Sequence, residues 1–265
     1  MFYLPIRILI KRTGSLFLQK KYFLFIFLNN ILSFEIIDSQ GSSRVVNITE
    51  SSYDPEFTYP NNYIPRPFLA YSIKGTYNST KVYYANYGTL EDFKYLKTKG
   101  IDVNDSVIIC RYGKIFRGNK VKLAAQNGAK AVLIYEDPIR GAPAGQQIYP
   151  NGVFLPNDGM QRGSLFTGNG DPLTPIYPST SNVLFILFSL IHKLCLNKTK
   201  TNLEYANRID QSESPELPTI VAQVIGYHHA EEIFNLMDGV IVDDPEWKGG
   251  MNVVYRFGGP LKNNQ

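Results

Sequence analysis

Two stretches of the chain carry unbroken apolar side chains at strand length, Val107 to Cys110 within 105–111 and Ala131 to Tyr135, and such runs, bounded by turn residues, predict buried strands. Pro218 to Ile225, apolar apart from Thr219 and Gln223, reads as another strand. Lys81 to Tyr87 reads as a further strand from its aromatic and β-branched content. Between them the period lengthens. Thr89 with Asp92 three positions on predicts a capped helix to about Thr98, closed by Gly100. Residues 117–127 predict a second helix ended by Gly128, and Ala230, Ile233, Phe234 and Met237 share one face of a third. The order strand, helix, strand, helix, strand predicts an α/β domain.

The remaining segments break this rhythm. Residues 1–34 alternate basic clusters with a short apolar core at Tyr22 to Leu28, below the ~20 residues that cross a bilayer. That pattern suits a leader, either a signal peptide or shortened signal anchor, or a non-native one. Residues 35–80 read as an extended segment, Pro-rich and aromatic between Phe57 and Phe68. A Gly-, Pro- and Asn-rich stretch runs from Asp137 to about Ser181, and a loop of that length is expected to be functional. Val183 to Asn202 is a short, very apolar run with a basic tail, either a membrane-dipping or a core helix, and it does not match its surroundings.

Composition narrows the function classes. A hydrophobic share of 44% with 19% charged residues is that of a folded domain. The net charge of +4 is spread along the chain, so no basic patch speaks for nucleic acid. The cysteines, Cys110 and Cys195, lie in separate apolar runs, which excludes a disulfide framework and a structural zinc site. Four sequons, at Asn47, Asn78, Asn104 and Asn197, are glycosylation candidates in a secretory setting.

Little in the chain promises catalysis. His228 and His229 are adjacent, read as surface residues at a helix start, and no H-E-x-x-H pattern occurs. No G-x-S-x-G elbow or phosphate-binding loop is present. Cys110 sits mid-strand in apolar company, where a thiol is inert. One constellation remains, Arg111 to Lys120 (RYGKIFRGNK), in which a strand ends, glycine turns the chain, and Phe116 and Arg117 begin a helix. Such an Arg either binds a carboxylate beside the aromatic ring or is simply solvated next to a core Phe.

Six ordered runs then carry a resemblance: Tyr84 to Phe93 (YANYGTLEDF), Arg111 to Val121 (RYGKIFRGNKV), Gly128 to Tyr135 (GAKAVLIY) with Asp137-Pro138, Gln161 to Gly163, Gly170 to Pro175 (GDPLTP) and Ile225 to Tyr227. Across roughly 53–258 the chain resembles the protease-associated (PA) or apical domain of the glutamate carboxypeptidase, N-acetylated-alpha-linked acidic dipeptidase and transferrin receptor family. The resemblance implies a PA fold, a mixed β-sandwich or open barrel flanked by helices, over 81–258. It implies that 35–80 belongs to an absent peptidase domain, and that 183–202, either alone or together with 1–34, is translated non-coding sequence.

The same resemblance implies a type II membrane ectopeptidase, on the extracellular face or in the secretory pathway, homodimeric and with a dizinc peptidase domain as partner. Phe116 and Arg117 would line the substrate pocket, Arg117 meeting a carboxylate of the peptide substrate. Ser164 stands where the family has a pocket asparagine, and its shorter reach implies a broader specificity. Thr174 and Tyr177 would supply part of a calcium site whose other ligands lie in the absent domain. Zinc and calcium are expected only in full-length members, and no hydrolysis is expected from this chain. The alternative is a non-catalytic, transferrin-receptor-like interaction module.

Overall fold

Val107–Arg111, Ala131–Tyr135 and Val221–Ile225 are buried at every position, which requires cover on both faces of the sheet they form. A computed structural model of the chain describes residues 22–28, 31–37, 43–51, 66–174 and 209–260. Its centre is a mixed sheet built around those runs. Strand β1 spans Tyr22–Leu28, β2 Ile31–Ile37, β3 Ser43–Asn47, β4 Leu69–Ala70, β5 Gly75–Ser79 and β6 Lys81–Tyr84. They are followed by α1 (Leu90–Thr98), β7 (Val107–Arg111), α2 (Arg117–Gln126), β8 (Ala131–Tyr135), α3 (Pro138–Gly141), β9 (Gly163–Ser164), β10 (Val221–Ile225), α4 (Tyr227–Leu236) and β11 (Gly258–Pro260).

The five-stranded sheet has the order β10-β8-β7-β6-β11, with β6, β7, β8 and β10 parallel and β11 antiparallel at the edge. Helix α1 carries β6 to β7 and α2 carries β7 to β8, the crossovers that parallel neighbours need. Thr89 caps α1 reciprocally with Asp92, as the sequence pattern predicts, and Gly100 at φ 72° turns the chain away from its end. Strand β6 stops at Tyr84, short of the expected Tyr87, because Asn86 takes φ 48°. The Asn86 side chain ties that turn down, donating to Asp92 and accepting from Arg111.

Beneath these loops Tyr84, Phe234, Trp247, Tyr255 and Phe257 pack as tilted and edge-on rings, centroids 5.0 to 5.8 Å apart. Edge-on geometry sets the positive rim of one ring against the negative face of the next. The predicted face of α4 is confirmed: Ala230, Ile233, Phe234 and Met237 are all buried in the core.

A second, antiparallel sheet has the order β3-β2-β1-β5. Part of the segment read as a leader thus forms a hairpin, with Phe25 facing Phe34 in register. Strand β5 runs into β6 after one residue and so joins the two sheets. A short parallel pair, β4 with β9, sets Leu69 against Gly163 and Ala70 against Ser164. The apolar segment at 183–202, Tyr177 and Asn197 lie outside the described residues. No helix among the described residues is long and apolar enough to cross a membrane.

Candidate functional site

In open parallel sheets, ligands bind in the crevice outside the carboxyl ends of the strands. Here that end carries the loop after β7, residues 112–116, and the long loop after β8, residues 136–162. Phe116 is the N-cap of α2 and Arg117 its first helical residue. Gln161 lies at the far end of the second loop and Ser164 on β9 just beyond it, and the fold brings both against Arg117.

The Arg117 guanidinium donates to Gln161 Oε1 at 3.3 Å and to the Ser164 carbonyl at 3.5 Å. Its carbon lies 5.6 Å from the centroids of both Tyr112 and Phe116. The two predicted pocket residues beside Arg117 therefore do meet it. The role of Ser164 differs in detail: its hydroxyl accepts the Phe166 N–H at 3.1 Å, and its carbonyl is what faces Arg117. Phe116 leaves 41% of its surface exposed, so one edge of the site is an open aromatic face.

Two glycines make this convergence possible. A Cβ on Gly118 would lie 2.2 Å from the Leu165 carbonyl oxygen, and one on Gly163 would lie 2.2 Å from the Arg117 guanidinium. Only a hydrogen at each position lets α2 and β9 approach this closely. Tyr112 closes the base of the site by donating its hydroxyl to the Gln161 carbonyl at 2.8 Å.

The neighbouring arginine shows what a purely structural guanidinium looks like here. Arg111 is 2% exposed, gives two hydrogen bonds to Asn86 Oδ1 and others to the Glu246 and Lys248 carbonyls, and lies 4.1 Å from the Tyr87 ring centroid. Asp137, 3.9 Å away, balances its charge and accepts from Tyr135, Tyr255 and the Ile139 and Gly250 N–H groups. That network binds the C-terminal segment to the ends of β7 and β8. Arg117 is the opposite case. Its two hydrogen bonds are long, its Nε is buried without a partner, and its group is half-buried. Long bonds to neutral acceptors leave the terminal guanidinium nitrogens able to turn to a better acceptor.

Sequence reasoning missed Lys120, which is 1% exposed and donates Nζ to the Tyr87 and Gly113 carbonyls, stapling the two loops at the sheet end. Burial holds its pKa below the usual lysine range. It missed Gln161 as well, since nothing in sequence spacing joins it to Arg117. The reading of His229 as a surface residue is corrected: it is 3% exposed, its Nε2 lies 3.2 Å from the Asn47 carbonyl, and its ring lies tilted against that of His228 with centroids 3.6 Å apart. The strap at 43–51 covers it, which local sequence could not reveal. Burial, then the His228 ring, push its pKa down to about 4.

Cys110 is fully buried and its thiol is pushed up to about 12 by burial, consistent with an inert side chain. Among the described residues, no group of three or more His, Cys, Asp or Glu could hold a metal ion. Thr174 is buried and donates its hydroxyl to Asp171 Oδ2 at 2.8 Å. Calcium takes six to eight oxygens, so these two side chains do not fit a complete calcium site by themselves. Of the sequon asparagines, Asn47 and Asn104 are exposed, and Asn78 lies on β5.

Residues 68–165 match the family model described as the PA domain. Over 87% of its length the chain is 33% identical to a glutamate carboxypeptidase 2 homolog of Caenorhabditis briggsae. It is 30% identical to mouse aminopeptidase NAALADL1 over 88% of its length, and 32% identical to mouse transferrin receptor protein 2 over 73%. The chain spans 27%, 30% and 21% of those proteins respectively.

Proposed function

Because the chain belongs to the PA-domain family that glutamate carboxypeptidase homologues share with transferrin receptors, we propose that it is the substrate lid of a zinc-dependent carboxypeptidase-like ectopeptidase. Arg117 receives the carboxylate of the substrate's C-terminal residue, with Phe116 flanking the side chain and Ser164 helping to shape the subsite. The observation that carries this reading is the contrast between Arg111, saturated by its neighbours, and Arg117, which keeps donors in hand beside an exposed aromatic ring.

The chemistry of this half-site is binding and orientation. A planar guanidinium meets a carboxylate through two parallel N–H···O bonds, and in doing so would exchange the long bonds to the neutral Gln161 and Ser164 oxygens for bonds to an ionised acceptor. That fixes the substrate terminus, and hence the distance from it to the scissile bond. Zinc ions held by a companion peptidase domain would polarise the scissile carbonyl. Thr174 would add one oxygen, with Tyr177, to a calcium site completed by that domain. The reading carries with it a glycosylated ectodomain at the membrane or in the secretory pathway, and a homodimeric assembly.

Kinetics on a product of this locus that carries the peptidase domain test it. Arg117→Leu should raise KM for a peptide with a free C-terminal carboxylate by about 10- to 100-fold, the equivalent of a charged hydrogen bond of about 1.5–3 kcal/mol. The amide-capped peptide should show no such penalty, and equal sensitivity of the two peptides overturns the reading. The similarity to transferrin receptor protein 2 favours a second reading, a non-catalytic interaction module. It prevails if the extended product carries no dizinc ligands.

A further inference from the structure

Residues 47–51 are fastened at three successive points, the first on α4 and the next two on the loop that presents Gln161. The Asn47 carbonyl meets His229 Nε2 at 3.2 Å, the Glu50 carboxylate reaches residues 160 and 162, and the Ser51 N–H donates to Asp158 Oδ2 at 2.7 Å. The middle tie is the strongest. Glu50 Oε1 accepts the Met160 N–H at 3.1 Å, Oε2 pairs with the Arg162 guanidinium, and the Glu50 side chain is 5% exposed. An ion pair that is screened from water and also hydrogen-bonded holds its geometry, whereas the Arg44–Glu232 pair on the same strap is exposed and contributes little.

Glu50 thus grips the residues on either side of Gln161. Holding the Met160 N–H and the Arg162 guanidinium on one carboxylate pins the chain on both sides of Gln161, and with it what Gln161 offers to Arg117. That offering is the Gln161 amide oxygen on Arg117 and the Gln161 carbonyl on the Tyr112 hydroxyl, with Gly163 and Ser164 following directly.

We infer that Glu50 is a positioning residue for the Arg117 clamp, acting through Met160, Gln161 and Arg162, so that docking of the 47–51 strap sets the clamp's readiness for a carboxylate. The inference rests on the carboxylate reading of Arg117 for its functional meaning, while the coupling itself is a property of the ligand-free chain. The two can be separated.

The experiment uses arginine side-chain nitrogen–proton spectra of the full 265-residue chain, with the Arg117 Nε–H signal assigned by its loss in Arg117→Lys. Glu50→Gln keeps the shape and an acceptor for Met160 but removes the charge that holds Arg162. It is expected to shift or broaden the Arg117 signal without ligand, and to weaken binding of N-acetyl-L-glutamate by about tenfold, a change of about 1.4 kcal/mol. Arg44→Ala, which cuts the exposed tie on the same strap, is expected to leave both unchanged. Spectra taken well below the melting temperature separate this from general loosening, which lowers the melting point but leaves the Arg117 line in place.

If the Arg117 line and the affinity are unmoved in Glu50→Gln while N-acetyl-L-glutamate binds, the positioning role is refuted and the carboxylate reading stands. If the line moves but the wild-type chain binds no N-acetyl-L-glutamate, the coupling stands and the carboxylate reading falls. Should Glu50→Gln fail to fold, Arg162→Gln, which leaves Glu50 its bond to Met160, is held to the same criteria.

Discussion

Gly118→Ala reverses an expectation drawn from helix propensity, and the structure supplies the size of the reversal. Gly118 is the second residue of α2. Replacing a helical glycine by alanine ordinarily stabilises by about 1 kcal/mol. Here the new methyl carbon would sit 2.2 Å from the Leu165 carbonyl oxygen and 2.6 Å from the Phe116 ring. The obstacle is backbone: the Leu165 N–H is bonded to the Ala70 carbonyl at 3.0 Å, so Leu165 retreats only by loosening the β4–β9 pair. Forcing a methyl into such a contact costs about 1–3 kcal/mol, and loosening one ladder bond about 1 kcal/mol more. The net expectation is a loss of about 1–3 kcal/mol, or several degrees at about 2–4 °C per kcal/mol for a domain of this size. Urea and thermal unfolding of the wild-type chain and the variant measure it. A variant as stable as the wild type, or more stable, would refute the close approach of α2 to β9 on which the placement of Arg117 depends.

Three further expectations follow from the buried groups. Cys110 should resist alkylation in the folded chain at pH 8, because its thiol is fully buried and pushed up to about 12, and should be labelled at once in denaturant; mass spectrometry of its peptide reads both states. Tyr84→Phe removes the donor to the Trp247 carbonyl at 3.0 Å and should cost about 1–2 kcal/mol in unfolding free energy, since that acceptor stays buried. For His229, the folded pKa of about 4 lies below the ordinary 6.5, so between those values the unfolded chain binds the extra proton. Stability is then full above about pH 6.5 and falls as the pH drops towards 4, by up to about 2 kcal/mol between pH 7 and pH 5. Urea unfolding at the two pH values should show the loss, and His229→Phe should flatten it.

Local pattern carried the central sheet and its helices. Buried parallel strands read as largely apolar runs, and the Thr89–Asp92 box and Gly100 mark the two ends of α1 within a few residues. The placement of Phe116 and Arg117 was legible because a strand end, a glycine turn and a helix start fall within seven residues of Arg111. Their partners were not. Gln161 meets Arg117 across 44 positions and Glu50 meets Arg162 across 112, and separations of that size leave no periodicity to read. His229 went wrong for the same reason, since its cover comes from Asn47, 182 positions away. Lys120 reads as an ordinary polar position on a helix until the loops at Tyr87 and Gly113 close over it.

Titration of the 265-residue chain with N-acetyl-L-glutamate, followed at the Arg117 Nε–H signal, tests the central claim most directly. A site resting on one bidentate pair should bind in the millimolar range, about −4 kcal/mol. A saturable shift that is absent with the corresponding diamide and absent in Arg117→Leu is the predicted result. No shift at saturating ligand, or an equal shift with the diamide, would contradict the assignment of Arg117 as the carboxylate receptor.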